Sequence, residues 1–181
     1  MTNDKLYTIG IVCSGNTCRS PVTAAWLKRA ISASPRPDIV RVWTAGMRVK
    51  RKDVGKKKVE ESALEVAREL GLSKGDLREM RKHRVRDLDE ETSRTDLLVW
   101  ISDPNKLSAI DRSSNGKTRS AEMKEKADKL GATLLVIPEA DAAWEAKEAK
   151  APPDEVRAAY YQQAQSLRRW SWMVFRFIPR S

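Results

Sequence analysis

Apolar residues along the chain follow two patterns, short continuous runs and positions repeated at helical spacing. The runs are rich in β-branched residues and predict four strands, at residues 6–12, 39–44, 97–101 and 133–137. Positions three or four residues apart predict four helices, at residues 20–33, 59–70, 119–130 and 154–177. Because strands alternate with helices, we expect one α/β domain over residues 1–181, with helices on both faces of a four-stranded parallel sheet.

Other stretches lack such a clear pattern. Residues 74–86 are basic and fit either an insertion or a short surface helix. A short helix is expected to begin at Asp103-Pro104, and residues 138–153 are expected to form a long loop. The aromatic residues of 170–177 are expected on a helix face buried against the sheet, although tryptophan beside arginine also suits a membrane surface or a partner.

The formal net charge is +10, and much of it lies in two stretches, residues 48–58 and 78–86. Such charge attracts phosphorylated or acidic partners; nucleic acid is possible but less favoured, and a solvated surface without a partner is the plain alternative. No apolar run resembles a membrane-spanning helix. Residues 1–5 are polar, unlike the start of a signal peptide, so we expect the protein in the cytoplasm.

The chain has two cysteines, Cys13 and Cys18, which lie in one short segment. Cysteines so close together do not connect distant parts of a fold, so they indicate chemistry in a reducing compartment. The single histidine, His83, cannot build a histidine-rich metal site and is expected to be structural. We therefore expect neither a metal nor an organic cofactor.

The segment VCSGNTCRSP, residues 12–21, joins the first strand to the first helix. Backbone N–H groups of such a loop form an anion nest, and the helix N-terminus adds positive charge. Arg19 offers a planar guanidinium for two phosphate oxygens, and Cys13 is expected as a thiolate that attacks phosphorus to form phosphocysteine. Ser20 is placed to hydrogen-bond that thiolate, and Asn16 to hold the loop's shape. The expected phosphate-binding residues are Ser14, Gly15, Asn16, Thr17, Cys18, Arg19 and Ser20.

This segment resembles the Cys-x5-Arg-(Ser/Thr) signature of cysteine-dependent phosphatases. More narrowly, it resembles the loop of the low-molecular-weight protein tyrosine phosphatase family, which includes bacterial arginine phosphatases and arsenate reductases. Three further segments resemble the family in the same order, WTAG at residues 43–46, HRVRDL at 83–88 and DLLVWISD at 96–103. The resemblance implies a flavodoxin-like three-layer sandwich and a phosphatase that hydrolyses phosphotyrosine in proteins.

The general acid is less clear from the sequence. The family resemblance implies an aspartate, usually in Asp-Pro, after the fourth strand, but residues 138–144 contain no Asp-Pro. Asp141 is the first candidate there and Glu139 the second. Asp103 follows the third strand, where it resembles a structural aspartate of the family.

Several alternatives stay open. Cys18 packs under the loop or, as the resemblance implies, forms a reversible redox disulfide with Cys13. Thr17 resembles the residue of bacterial arginine phosphatases, which makes phosphoarginine the second substrate. Trp144 either stacks on a substrate ring or packs on the core, and the basic loop 48–58 predicts acidic sequence around the phosphorylated residue.

Two other functions remain possible. An arsenate reductase coupled to thioredoxin is disfavoured because no cysteine follows Cys18, whereas a glutaredoxin-coupled reductase fits. The missing Asp-Pro and the positive charge also fit a low-turnover module that binds phosphoproteins or nucleic acid.

Overall fold

The computed structural model describes residues 6–104 and 118–179. Its centre is a parallel sheet in the order β2-β1-β3-β4. The strands are β1 (Tyr7–Cys13), β2 (Val40–Gly46), β3 (Leu97–Ser102) and β4 (Thr133–Pro138). This order is that of flavodoxin-like folds, in which ligands bind beyond the carboxyl ends of the strands. The predicted fold class is confirmed.

Helices cover both faces of the sheet. Apolar residues of α1, α2, α3, α5 and α6 form one core with β1 and β3, and α4 packs on the other face against Trp43 and Trp100. Parallel sheets need such cover because both faces of their strands are apolar. The helices are α1 (Arg19–Ser32), α2 (Glu61–Glu69), α3 (Lys74–Lys82), α4 (Arg119–Leu130), α5 (Ala142–Glu148) and α6 (Pro153–Phe175).

Two uncertain stretches turn out to be helical. Of the two interpretations of residues 74–86, the short helix is the one observed, and α3 buries Leu77 and Met80 in the core. The prediction of a long loop at residues 138–153 is wrong, because α5 forms there and buries Ala143. Beyond Pro104, the short helix expected there falls outside the described residues.

The C-terminal helix divides its large side chains between core and solvent. Leu167 and Val174 are buried, whereas Trp172, Met173 and the following Phe177 are exposed. The expectation of a buried aromatic face is therefore wrong for these exposed side chains. Within residues 6–104 and 118–179, no helix is long and apolar enough to cross a membrane.

Candidate active site

The predicted phosphate loop lies at the carboxyl end of the sheet, since β1 ends at Cys13 and α1 begins at Arg19. Cys13 Sγ lies 3.1 Å from Ser20 Oγ and accepts a hydrogen bond from the Asn16 backbone N–H at 3.3 Å. Ser20 Oγ also accepts from Asn16 Nδ2 at 2.9 Å. The Ser20 hydroxyl, which accepts from Asn16, is free to donate its own proton to Cys13 Sγ and would stabilise a negatively charged sulfur there.

Asn16 holds the loop together from its centre. It is fully buried and has a φ of 57°, so the left-handed residue of the loop is Asn16 and not Gly15. Its Oδ1 accepts from the backbone N–H of Arg86 at 3.1 Å, and its carbonyl accepts from Nε2 of His83 at 2.9 Å. The segment 83–86 therefore braces the loop from behind.

His83 braces the loop as a neutral imidazole. Burial lowers the pKa of His83, and the positive charges of Lys28, Arg84 and Arg86 lower it further, although its bond to the Asn16 carbonyl acts in the opposite direction. Because a carbonyl only accepts, Nε2 carries the proton in this contact. The geometry gives His83 a positioning role, as the sequence predicts.

Strand β2 presses its last residue against the loop. The backbone N–H groups of Met47 and Arg48 donate to the carbonyls of Cys13 and Ser14 at 2.8 and 2.9 Å. A Cβ at Gly46 would lie 2.9 Å from the Ser14 carbonyl oxygen, closer than real Cβ atoms approach. Glycine at position 46 is thus a condition for this close packing.

Arg19 is buried and joins the loop to the segment after β4. One amino group, Nη2, lies 2.7 Å from Oδ2 of Asp141 and 3.2 Å from Oγ of Ser14. The other, Nη1, donates to the Glu139 carbonyl at 3.2 Å. Asp141 is 21% exposed and accepts a longer bond, 3.4 Å, from Gln163. The carboxylate of Asp141 is therefore held beside the phosphate-binding arginine.

Glu139 points away from the loop. Its Oε2 accepts from Oγ of Ser166 at 2.5 Å and from Nε1 of Trp170 at 3.2 Å, both on α6. Of the two acids predicted after β4, the structure brings Asp141 to the phosphate loop and directs the Glu139 carboxylate to α6. The remaining predicted aspartate, Asp103, is buried at the end of β3.

A cavity of about 830 Å³, called here the Cys13 cavity, opens in front of the loop. Its walls combine aromatic and basic side chains. Trp144 lies on the cavity wall with 51% of its surface exposed. The interpretation that it packs on the core is therefore wrong. The lining includes Cys13, Ser14, Gly15, Thr17, Cys18, Arg19, Arg48, Lys50, Lys57, Lys58, Glu60, Asp141, Trp144, Lys147 and Tyr160.

Glu60, a residue that sequence reasoning missed, organises one wall of the cavity. Its Oε1 accepts from Thr17 Oγ1 at 3.0 Å, and its Oε2 accepts from Lys147 and Tyr160. Burial acts to raise the pKa of Glu60, but these hydrogen bonds outweigh it and hold the pKa below its usual value. Burial and the Glu60 carboxylate raise the pKa of Tyr160. No local motif marks this cluster, because its members lie far apart in the chain.

Cys18 lies on the same wall as a free thiol. Burial raises its pKa well above the usual value, and the carboxylates of Glu60 and Asp141 raise it further. Its Sγ approaches Oε1 of Gln163 at 3.6 Å. Cys18 is therefore a neutral thiol at physiological pH. Among the described residues, no group of three His, Cys, Asp or Glu side chains is arranged to hold a metal ion.

The family model described as low molecular weight phosphotyrosine protein phosphatase matches residues 8–134, which include the Cys13 to Arg19 loop and end before Asp141. No curated protein sequence matches the chain.

Three solved structures illustrate the likeness in fold. The tyrosine phosphatase amsI of Erwinia amylovora is 19% identical with a TM-score of 0.58, over 96% of this chain and 95% of that one. A low molecular weight protein tyrosine phosphatase from T. tengcongensis is 19% identical with a TM-score of 0.53, over 93% and 98%. An arsenate reductase from Archaeoglobus fulgidus is 14% identical with a TM-score of 0.51, over 91% and 98%. The matched family model, supported by the shared fold, leads to one conclusion: the chain belongs to the low molecular weight phosphotyrosine protein phosphatase family, whose members are phosphoric monoester hydrolases.

Proposed function

We propose that the protein hydrolyses phosphotyrosine in proteins through a covalent phosphocysteine intermediate. One observation carries the proposal: Cys13, Arg19 and Asp141 line one cavity, with Asp141 Oδ2 2.7 Å from Arg19 Nη2. These side chains are the nucleophile, phosphate clamp and general acid that the reaction needs. Membership of the phosphatase family supports the same chemistry.

In the first step, Arg19 and the loop N–H groups hold the phosphoryl oxygens while the Cys13 thiolate attacks phosphorus. A P–S bond forms as the P–O bond to the tyrosine breaks, and Asp141, in its protonated carboxylic acid form, gives its proton to the departing phenolate oxygen and becomes a carboxylate beside Arg19. Arg19 stabilises the charge on the equatorial oxygens.

In the second step, Asp141 accepts a proton from a water molecule that attacks phosphorus. The P–S bond breaks, inorganic phosphate forms, and the Cys13 thiolate is restored. The Ser20 hydroxyl, 3.1 Å from Cys13 Sγ, stabilises this leaving sulfur. Asp141 is partly exposed, which lets water reach it from the cavity.

The walls of the Cys13 cavity support a phosphotyrosine substrate with acidic neighbours. Trp144, half exposed on the cavity wall, offers apolar surface to an aromatic ring. Arg48, Lys50 and Lys58, from the basic loop, place positive charge at the same cavity. Phosphoarginine is the second candidate, because the Glu60 carboxylate beside Thr17 would attract a guanidinium group.

We also propose that Cys18 is the redox partner of Cys13. Hydrogen peroxide would oxidise Cys13 to a sulfenic acid, and the neutral Cys18 thiol would condense with it, forming a disulfide and releasing water. Both side chains line the same cavity and are free thiols, which suits a reducing compartment, and we propose the cytoplasm. Peroxide should inactivate both the wild type and Cys18→Ser, but dithiothreitol should restore the phosphatase activity of the wild type alone. Equal recovery of activity in the two proteins would reject the pairing.

The central test is hydrolysis of p-nitrophenyl phosphate by the wild type, Cys13→Ser and Asp141→Asn, with Glu139→Gln as the matched acid control. We expect Cys13→Ser to be inactive, Asp141→Asn to lose roughly 10²- to 10⁴-fold in kcat, and Glu139→Gln to stay near wild type. A single stoichiometric burst by the wild type would indicate a low-turnover binding module instead. Equal losses for the two acid variants would reject Asp141 as the acid.

The substrate is tested with matched peptides that carry phosphotyrosine or phosphoarginine, each with acidic or basic flanking residues. A higher kcat/KM for acidic phosphotyrosine peptides supports the leading substrate. Preference for phosphoarginine would select the second candidate. Arsenate-dependent oxidation of reduced glutaredoxin, without phosphate release from either peptide, would favour the arsenate reductase alternative.

A further inference from the structure

The orientation of helix α6 is set by its buried side. Leu167, Ser171 and Val174 are buried, and Oγ of Ser171 donates to the carbonyls of Leu167 at 2.7 Å and Thr23 at 3.2 Å. The bond to Thr23 reaches across to α1, so the rotation of α6 about its axis is fixed. Trp172 and Met173, which lie between Ser171 and Val174, are on the opposite side of the helix and face solvent.

Large apolar side chains occupy that outward side at the C-terminal end of α6. Trp172 is 54% exposed, Met173 46% and the following Phe177 50%. The ring of Trp172 packs edge-on against Phe175, with centroids 6.0 Å apart and an angle of 80° between the planes. This contact orients the Trp172 ring without burying it. Soluble proteins seldom expose such large apolar side chains next to one another without a purpose.

Along the sequence, the charged residues around these side chains are all basic. Residues 156–181 contain five arginines and no aspartate or glutamate. Arg169 and Arg176 are exposed, and neither has an ion-pair partner within the described part of the chain. Arg168, in contrast, stacks over the ring of Trp26 at 4.8 Å and belongs to the packing of α6 on α1.

We propose that this end of α6 docks on the surface of an anionic lipid bilayer. The docking surface, called here the α6 tip, consists of Arg169, Trp172, Met173, Arg176 and Phe177. Tryptophan and phenylalanine bury their rings at the headgroup level, while arginines pair with lipid phosphates. The α6 tip lies on the bilayer without crossing it. This proposal does not rest on the catalytic chemistry of the Cys13 cavity.

The positive charge of the α6 tip favours an anionic membrane over a second copy of the chain as its partner. Each copy carries a net charge of +10, and two α6 tips would bring exposed arginines against arginines. Such like charges oppose self-association, whereas an anionic bilayer supplies the opposite charge together with an apolar phase.

The test is co-sedimentation of the full chain with vesicles of phosphatidylcholine, with and without phosphatidylglycerol. We expect binding to the anionic vesicles, weaker binding as salt rises, and little binding to phosphatidylcholine alone. Trp172→Ser with Phe177→Ser should weaken binding at least tenfold. Arg169→Gln and Arg176→Gln should each weaken it roughly fivefold.

Trp144→Ser is the matched control, because Trp144 is as exposed as Trp172 but lies outside the α6 tip. It should bind vesicles like the wild type, and so should Cys13→Ser, which separates docking from catalysis. Quenching of tryptophan fluorescence by brominated lipid should fall in Trp172→Phe, a change that leaves an aromatic ring in place. Circular dichroism of each variant verifies folding.

Three results would overturn the proposal. One is absence of binding by the folded wild type to anionic vesicles. Another is an equal loss of binding for the Trp144 variant and the Trp172 and Phe177 double variant. The third is a dimer in sedimentation without lipid that Trp172→Ser dissociates, which would assign the α6 tip to a second copy.

Discussion

Nη2 of Arg19 lies 2.7 Å from Oδ2 of Asp141, which joins the start of α1 to the segment after β4. The same amino group also donates to Ser14 in the phosphate loop. The guanidinium thus has two duties: it orients the acid and it presents donors to phosphate. An ammonium group at this position would lack the planar set of donors needed for both.

Arg19→Lys should therefore lower kcat/KM for p-nitrophenyl phosphate by roughly 10²- to 10³-fold, because one directed donor to the transition state is lost. Steady-state kinetics measures the effect. The control is Arg29→Lys on the exposed side of the same helix, where kcat/KM should be unchanged. If Arg19→Lys kept the wild-type kcat/KM as Arg29→Lys does, charge alone, and not the planar guanidinium, would be required of Arg19.

Replacing Asn16 should destabilise the fold as well as the loop. Asn16→Ala removes bonds to Ser20 and Arg86 and leaves the partly buried Arg86 N–H without this acceptor, so we expect a loss of about 2–4 kcal/mol. Asn16→Gly loses the same bonds but tolerates the φ of 57°, and should be roughly 1 kcal/mol more stable than the alanine variant. Urea unfolding of the three proteins provides both differences. An alanine variant at least as stable as glycine would show that backbone conformation contributes nothing here.

His83 should make stability depend on pH in a definite direction. Burial lowers the pKa of His83 below 6.5, so the unfolded chain binds the proton more readily than the folded one. The free energy of unfolding should rise with pH from the folded pKa up to about 6.5. Above that pH, His83 is neutral in both states and should add no further change.

His83→Gln keeps a side-chain N–H for the Asn16 carbonyl but cannot titrate. Because His83 is the only histidine, the difference between the two unfolding curves from pH 5 to 8 isolates its contribution. The variant should lose part of the rise seen in the wild type. Parallel curves would mean that His83 titrates alike in the folded and unfolded chains.

Glu60 should stabilise the folded protein in its charged form, whereas the folded protein favours the neutral form of His83. Hydrogen bonds from Lys147, Tyr160 and Thr17 overcome burial and hold the pKa of Glu60 below 4.5. Its stabilisation is complete above about pH 4.5 and is lost as pH falls through the folded pKa. Glu60→Gln should cost about 1–3 kcal/mol at pH 7, since it removes a charged acceptor from a partly buried cluster.

The neighbouring Glu61→Gln is the control, because Glu61 is exposed and pairs with the likewise exposed Arg81. Its unfolding free energy should change by less than about 1 kcal/mol at pH 7. Chemical unfolding at pH 7 and pH 3.5 tests both variants, and the Glu60 deficit should shrink at the lower pH. A deficit that stays constant would indicate lost packing instead of lost charge.

Much of the phosphate loop could be predicted because its information is local. Cys13, Arg19 and Ser20 lie within one strand-to-helix connection, so their closeness along the chain already requires them to be close in space. The alternation of strands and helices likewise predicted the parallel sheet, because burial of both faces leaves a regular apolar pattern. The fold class, the candidate nucleophile and the family could therefore all be predicted from local sequence patterns.

Contacts between residues that are far apart in the chain are visible only in the tertiary structure. Asp141 and Glu139 are the first and second candidates in the sequence, and α6 distinguishes them by binding the Glu139 carboxylate. Glu60 meets Tyr160, and His83 meets Asn16, through packing that no local pattern encodes. The rotation of α6 decided that Trp172 faces solvent, because helical periodicity predicts faces but not the element on which each face packs.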